Sequence, residues 1–279
     1  MRLFHLAVTR TLYGVFTRWL AKRFPSGTSV ALKLPTGLAF RISLDDAYWT
    51  RFALYHDPYE PEIARVLDAC AGHASLFCDV GANKGYWSVY AAPIFEEVVA
   101  IEASSATFRI LTENTRGVPN VTRRWAAAFR ESNRELSFHN VDGSHVSGHI
   151  SKNKDENARG ETVESVALDD LLPPQKLAVI KLDVEGAERD AIHGARRAIS
   201  EGALLIYEDH GADFSCSASS ALFELGDISV YSIENTPHRL DSVDDVRRIK
   251  TDRYKGYNFL AARGDAHLLK LVVRSFANR

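Results

Sequence analysis

Residues 76–102 read LFCDVGANKGYWSVYAAPIFEEVVAIE. The apolar run Leu76 to Val80 opens the stretch and ends in Asp79-Val80-Gly81. A glycine turn follows, then a helical spacing of Trp87, Tyr90, Ala91 and Ile94, then a second apolar run, Val98 to Ile101, closed by Glu102. Strand, glycine turn, helix, strand, acid is the unit that holds a ribonucleoside cofactor. Gly81 and Gly85 carry no Cβ, so the backbone there can turn sharply and come close to a ligand. Glu102 falls about 20 residues on, where a carboxylate can accept both ribose hydroxyl protons.

The turn also bears on which cofactor it is. A dinucleotide fingerprint reads G-x-G-x-x-G, and its second glycine makes room for pyrophosphate. That position is Asn83 here, whose side chain would crowd the phosphates. S-adenosylmethionine has no phosphate, and Asp79 beside the turn suits its ammonium and sulfonium charges. The plain alternative is a tight strand-to-helix turn with no ligand. Asp79 and Glu102, in register on neighbouring strands, weigh against it.

Composition sets the outer limits. A chain of 279 residues, 46% hydrophobic and 25% charged, suits one large α/β domain with appendages or two small domains. A net charge of -2 gives no support to nucleic acid as the main partner. Cys70, Cys78 and Cys216 lack zinc spacing and read as free thiols in a reducing cytoplasm. Charge is uneven, however. No acidic residue precedes Asp45, while Arg2, Arg10, Arg18, Lys22, Arg23, Lys33 and Arg41 are basic. Arg10 and Arg18 break this start too often for a secretory signal or a membrane span of about 20 apolar residues.

Residues 3–24 read as a helix with Val8, Leu12, Val15, Phe16, Trp19 and Leu20 on one broad face. Two readings stand: a helix docked on the domain's own core or on a second subunit, or an interfacial helix resting on anionic headgroups at the inner membrane face. Ser29 to Leu34 and Leu38 to Ser43 alternate around Pro35-Thr36-Gly37 as a β-hairpin. Asp45 to Tyr55 and Pro61 to Ala69 follow as helices, and the dense aromatics Tyr48, Trp49, Phe52, Tyr55 and Tyr59 are either core or a roof over the cofactor cleft.

Ser104 or Ser105 can cap a helix running to about Arg116. Val121 to Phe129 reads as a third strand whose Ala126, Ala127 and Ala128 would let an adenine ring lie flat. Glu135 to Ile150 alternates about an Asp142-Gly143 turn, and Lys152 to Gly160 is a polar loop or a substrate lid. Val163 to Leu172 forms an element that Pro173-Pro174 stops. The apolar run Leu177 to Leu182 is a buried parallel strand that delivers Asp183, Glu185 and Glu188, with a helix to about Ser200 behind it. Ala203 to Tyr207 is another buried strand, ending in Glu208-Asp209-His210-Gly211. Ile228 to Ile233 and Asn258 to Ala262 read as the final strands. Ligands of doubly wound sheets sit outside the carboxyl ends of strands, so Asp79, Glu102, Asp183 and Glu208 should converge on one crevice.

The segments DVGANKGYWS (79–88), IEAS (101–104), VALDDLL (166–172), IKLDVEGAE (180–188) and IYEDH (206–210), in this order, resemble the FkbM family of S-adenosylmethionine-dependent methyltransferases. The resemblance spans roughly residues 38–211, and this chain departs from many relatives at Ala103, where they carry proline. It implies an α/β fold: a doubly wound, Rossmann-like seven-stranded sheet with an antiparallel last strand. An N-terminal helix, hairpin and cap would occupy residues 1–60, and the methyltransferase domain residues 61–279. The resemblance also implies methyl transfer to a hydroxyl of a sugar, glycolipid or polyketide-like acceptor. Carried over by position, Asp79, Gly81, Asn83 and Gly85 would hold the methionine end and Glu102 the ribose. Ala82, Tyr86, Ala103, Ser104, Ala126, Ala127 and Asp183 complete the expected cofactor-binding set.

Methyl transfer needs the acceptor oxygen in line with the methyl carbon at about 3–3.5 Å, and a path for the hydroxyl proton. His210 is the first candidate for the base, with Glu208 and Asp209 to orient it. Asp183 and Glu185 are alternatives, with Lys181 as proton or anion partner. The carboxylates include hard oxygen ligands, but their spacing does not call for a metal. The rival to an active O-methyltransferase is a noncatalytic cofactor-binding or scaffold protein. A nicotinamide oxidoreductase is a third reading, which Asn83 disfavours.

Overall fold

The structure is a computed structural model that describes residues 7–55, 58–140, 148–151, 160–234 and 236–277. The chain divides into two compact units, residues 1–61 and 62–279.

The first unit contains α1 (Ala7–Ala21), β1 (Ser29–Lys33), β2 (Ala39–Ser43) and α2 (Ala47–Tyr55). β1 and β2 pair antiparallel about Gly37, whose φ of 96° suits a residue without a Cβ. The aromatic residues form this unit's own core. Trp49 packs against Phe40, Phe52 and Tyr59 with ring centroids 5.1, 5.6 and 5.1 Å away. Helix α1 lies against α2. Among its described side chains the small Thr17 and Ala21 point inward, while Val15, Phe16 and Trp19 face out.

The second unit begins with α3 (Pro61–Cys70), β3 (Leu76–Val80), α4 (Tyr86–Ala91), β4 (Glu97–Glu102), α5 (Ser105–Asn114) and β5 (Val121–Trp125). A side sheet follows, made of β6 (Ala127–Ala128), β7 (Glu135–Asn140), β8 (Gly148–Ser151) and β9 (Glu161–Val166). Then come α6 (Leu168–Leu171), β10 (Ala178–Leu182), α7 (Glu188–His193), α8 (Arg196–Ser200) and β11 (Leu204–His210). The last elements are α9 (Ser217–Glu224), β12 (Ile228–Ser232), β13 (His238–Leu240), α10 (Val243–Ile249), β14 (Gly256–Arg263) and α11 (His267–Ala277).

The main sheet runs β13-β12-β14-β11-β10-β3-β4-β5. β11, β10, β3, β4 and β5 are mutually parallel, and β14 enters antiparallel between β11 and β12. This is the expected α/β sheet, with one strand more than the expected seven: the short β13 adds to its edge. β3 and β10 are buried at every position, which is why they read as continuous apolar runs rather than alternating ones.

Three boundaries differ from the sequence reading. The expected strand over residues 121–129 divides, because Ala127 and Ala128 leave the main sheet to pair with Ser165 and Val166. The expected helix to Ser200 breaks at Gly194, where a Cβ would lie 2.1 Å from the Phe129 carbonyl oxygen. Residues 163–172 hold a strand end and the short α6 rather than one element. The Asp142-Gly143 turn and all of the 152–160 loop except Gly160 lie outside the described residues.

Candidate functional site

The site forms where β3, β4, β10 and β11 release the chain at their carboxyl ends. The turn after β3 is held by the neighbouring strand. Gly81 and Ala82 N–H both donate to the Ile101 carbonyl, at 3.0 and 2.9 Å. Gly81 (φ 74°) is required by crowding, since a Cβ there would stand 1.7 Å from the Asp183 carbonyl oxygen. The loops after β3 and β10 therefore touch backbone to backbone. Gly85 serves packing: its missing Cβ faces Leu111 of α5 at 2.6 Å. Tyr86 is half-buried, stacked on Tyr90 at 6.4 Å.

Asp79 ends β3 and is buried. Its Oδ2 accepts the Ser88 hydroxyl at 2.6 Å, while its buried Oδ1 has no hydrogen-bond partner among the described residues. Burial raises its pKa, Lys181 and Ser88 oppose the rise, and Asp183 adds to it. Lys181 of β10 lies in register with Asp79, and its Nζ donates to Asp183 Oδ2 at 3.0 Å. Burial works to raise the Asp183 pKa, but Lys181 and hydrogen bonds from Glu208 and Lys181 outweigh it and hold the group below the ordinary carboxylate value. Asp183 is thus the ionised member of its pair with Glu208.

Glu102 ends β4 and is also buried. Its Oε2 accepts Asn83 N–H at 2.9 Å and its Oε1 accepts Ser104 N–H at 2.8 Å. Asn83 takes φ 51° to make that contact, a left-handed conformation that Asn tolerates better than most residues. Burial pushes the Glu102 carboxyl up to about 7 against these donors and that of Ala103 N–H. A carboxylate offers about four acceptor positions, so lone pairs remain for a diol. Ser104 Oγ caps α5 by accepting Thr107 N–H at 3.3 Å, and Ala103 O receives the Trp125 indole N–H at 2.9 Å.

The loop after β10 is shaped by Glu188, whose carboxylate accepts Val184 N–H at 3.1 Å and Gly186 N–H at 2.9 Å. Between these two donors Glu185 takes φ 52°. Partial burial first, then Asp183 and Glu188, push the Glu185 carboxyl up to about 7. Glu188 and Ser88 both stood in the quoted segments; only the fold shows what they hold.

Two expected placements do not hold. Asp209 and Glu208 cannot flank His210 as a pair, because neighbouring residues of a strand point to opposite faces. Glu208 reaches Asp183. Asp209 is committed on the other face to Ser219 Oγ at 2.7 Å and to the buried Lys250 ammonium. His210 is exposed, and its Nδ1 accepts Ala212 N–H at 3.1 Å. A neutral ring that accepts at Nδ1 carries its proton on Nε2, the wrong tautomer for taking a proton there. Ala127 offers no platform for an adenine either, being enclosed with Phe129, Leu136, Phe138 and Val163 in the core of the side sheet. Ala126 is only partly buried. Among the described residues no group of three or more His, Cys, Asp or Glu is arranged to hold a metal ion.

The sequence profile described as the Methyltransferase FkbM domain matches residues 79–257, from the aspartate of β3 into β14. The chain belongs to the FkbM methyltransferase family. Among solved structures it is similar to the methyltransferase FkbM of Methylobacillus flagellatus KT, at 17% identity and a TM-score of 0.44, with 92% of this chain and 60% of that one covered. This chain therefore spans about three-fifths of that relative. It is also similar to SMU.1697c of Streptococcus mutans, a putative methyltransferase in complex with SAH, at 8% identity and a TM-score of 0.43 over 74% of this chain and 99% of that one. A putative O-methyltransferase of Klebsiella pneumoniae gives 14% identity and a TM-score of 0.40 over 77% and 94%. No curated protein sequence matches significantly. The residues described above, from Asp79 to His210, lie within the matched segment.

Proposed function

We propose that the chain is an S-adenosylmethionine-dependent O-methyltransferase acting on a hydroxyl of a sugar, glycolipid or polyketide-like acceptor. The observation that carries this reading is the buried Asp79 Oδ1, a carboxylate oxygen with no hydrogen-bond partner among the described residues, beside a turn whose far side is held by Glu102. An orphaned buried carboxylate oxygen is costly unless a ligand satisfies it, and an ammonium group fits that need. When bound, the cofactor would supply an electrophilic methyl group on a sulfonium.

The chain's own residues divide the remaining tasks. Asp79 would hold the ammonium and Glu102 the ribose diol. Ionised Asp183, fixed by Lys181 and Glu208, would keep a negative charge at the reacting face. Glu185 fits the proton acceptor, because its carboxyl is pushed up to about 7 in the loop that carries Asp183, in range to take a proton at neutral pH. His210 presents an N–H rather than a lone pair, which suits an acceptor-orienting donor.

Calorimetric titration with S-adenosylhomocysteine tests the cofactor part. The protein should bind it, with Glu102→Ala and Asp79→Asn each weakening binding at least about tenfold, the loss of one charge-assisted hydrogen bond. Stabilisation by NAD with none by S-adenosylhomocysteine would reject the reading.

A further inference from the structure

Helix α1 presents its large apolar residues on its exposed side. Thr17 and Ala21 are each 2% exposed, whereas Val15, Phe16 and Trp19 are 52%, 48% and 51% exposed. These three lie within about one quadrant of the helix at 100° per residue. Phe16 and Trp19 stack at 6.0 Å, and the Arg23 guanidinium lies 4.4 Å over the Trp19 ring. Exposed Arg18, Lys22 and Arg23 border the ridge. A helix that only completed the fold would bury its aromatic residues and expose its small ones; the described side chains of α1 do the reverse.

Charge decides what the ridge fits. No acidic residue occurs among the first 44, which carry Arg2, Arg10, Arg18, Lys22, Arg23, Lys33 and Arg41, while the whole chain has a net charge of -2. A second copy meeting this face by two-fold symmetry would set one basic border against the other. An anionic lipid surface instead receives the apolar ridge among its acyl chains and the basic border at its headgroups. Trp and Arg are side chains suited to that boundary. Among the described residues no helix is long and apolar enough to cross a membrane, so contact would be from one side. We infer that the α1 face formed by Val15, Phe16 and Trp19 and bordered by Arg18, Lys22 and Arg23 docks the protein onto an anionic phospholipid bilayer.

Flotation of the full chain with vesicles tests this, comparing phosphatidylcholine alone with phosphatidylcholine doped with phosphatidylglycerol. The chain should float with the doped vesicles, more weakly with neutral ones, and less as salt rises. The exposed triple variant Arg18→Gln/Lys22→Gln/Arg23→Gln should bind about a hundredfold more weakly, at about fivefold per charge. Phe16→Gln/Trp19→Gln should lose at least about tenfold, with thermal melting unchanged. The inference is overturned if the chain does not float, or if it floats equally on both vesicles and the triple variant is unaffected. It is equally overturned if sedimentation shows a dimer that Phe16→Gln/Trp19→Gln dissolves without any vesicle binding, which assigns the face to a second copy. Collapse of the melting transition in that double variant, with the triple variant floating normally, makes the ridge internal packing and overturns it too.

Discussion

Glu208 reaches Asp183 across the sheet because Gly256 leaves it room. The two strands pair so that Glu208 stands opposite Asn258, and a Cβ on Gly256 would lie 1.6 Å from Glu208 Oε1. The carboxyl pair that holds Asp183 ionised therefore depends on a residue more than 70 positions away, with no chemistry of its own.

Gly256→Ala should push the flexible end of the Glu208 side chain off Asp183 and cost about 1 kcal/mol, one lost hydrogen bond. Glu208→Ala in the same chain would vacate the space, so the double variant should lose less than the sum of the singles, a coupling measurable by urea unfolding. Strict additivity would mean that the two residues do not meet.

Glu102 should make stability depend on pH. Its folded pKa is raised from 4.5 to about 7, so the folded chain holds a proton that the unfolded chain has released. Its contribution is fully present below about 4.5 and is lost as pH climbs through 7, on the order of 3 kcal/mol at about 1.4 per unit. Melting scans from pH 5 to 8 should show the fall, and Glu102→Gln should flatten it despite a lower starting value. Affinity for S-adenosylhomocysteine should move oppositely, rising with pH in the parent protein and staying level in the variant. A parent melting temperature that rises across this range would contradict the assignment.

The proton acceptor can be read from the pH–rate profile. With Glu185 in that role, turnover should rise through about pH 7, and Glu185→Gln should erase the limb and slow turnover at least about 10²-fold. His210→Ala should keep the limb and lose much less. The reverse pattern would return the role to His210, which requires the Ala212 N–H contact to break.

The Asp209–Lys250 pair, both members nearly inaccessible, is a structural device on the opposite face from the proposed site. Lys250→Met should leave a buried unpaired carboxylate and cost about 3–5 kcal/mol. Binding of S-adenosylhomocysteine by the folded fraction should persist. A large loss of affinity without a loss of stability would place the pair in the site instead.

Much of this was legible in the sequence because the determinants are local. β3 and β10 announce themselves as apolar runs interrupted only by Asp79 and Lys181, and the turn between β3 and α4 as closely spaced glycines. Ser104 as a helix cap follows from its place before α5. What escaped was set by distant partners. Glu208 and Asp209 are adjacent in sequence, and only the pairing of β11 tells which face each serves. Gly85 looked like a place for a ligand to approach, yet its neighbour is Leu111 of a helix that starts 20 residues later. β13 is three residues with one buried side chain, too short to leave a pattern, and α10 reads as polar because only Val246 is buried. α1 stayed open for another reason: its periodicity was clear, but periodicity does not say which side of a helix meets solvent.

The insertion of β14 orders events in time. Residues 256–263 are made after every other strand of the main sheet, yet they sit between β11 and β12 rather than at an edge. Until the ribosome has released them, β11 carries a bare row of backbone donors and acceptors, and β12 has no strand to join it to the rest. A nascent chain in that condition is open to wrong pairing, so the main sheet can close only once its last-made strand is there to fill the gap.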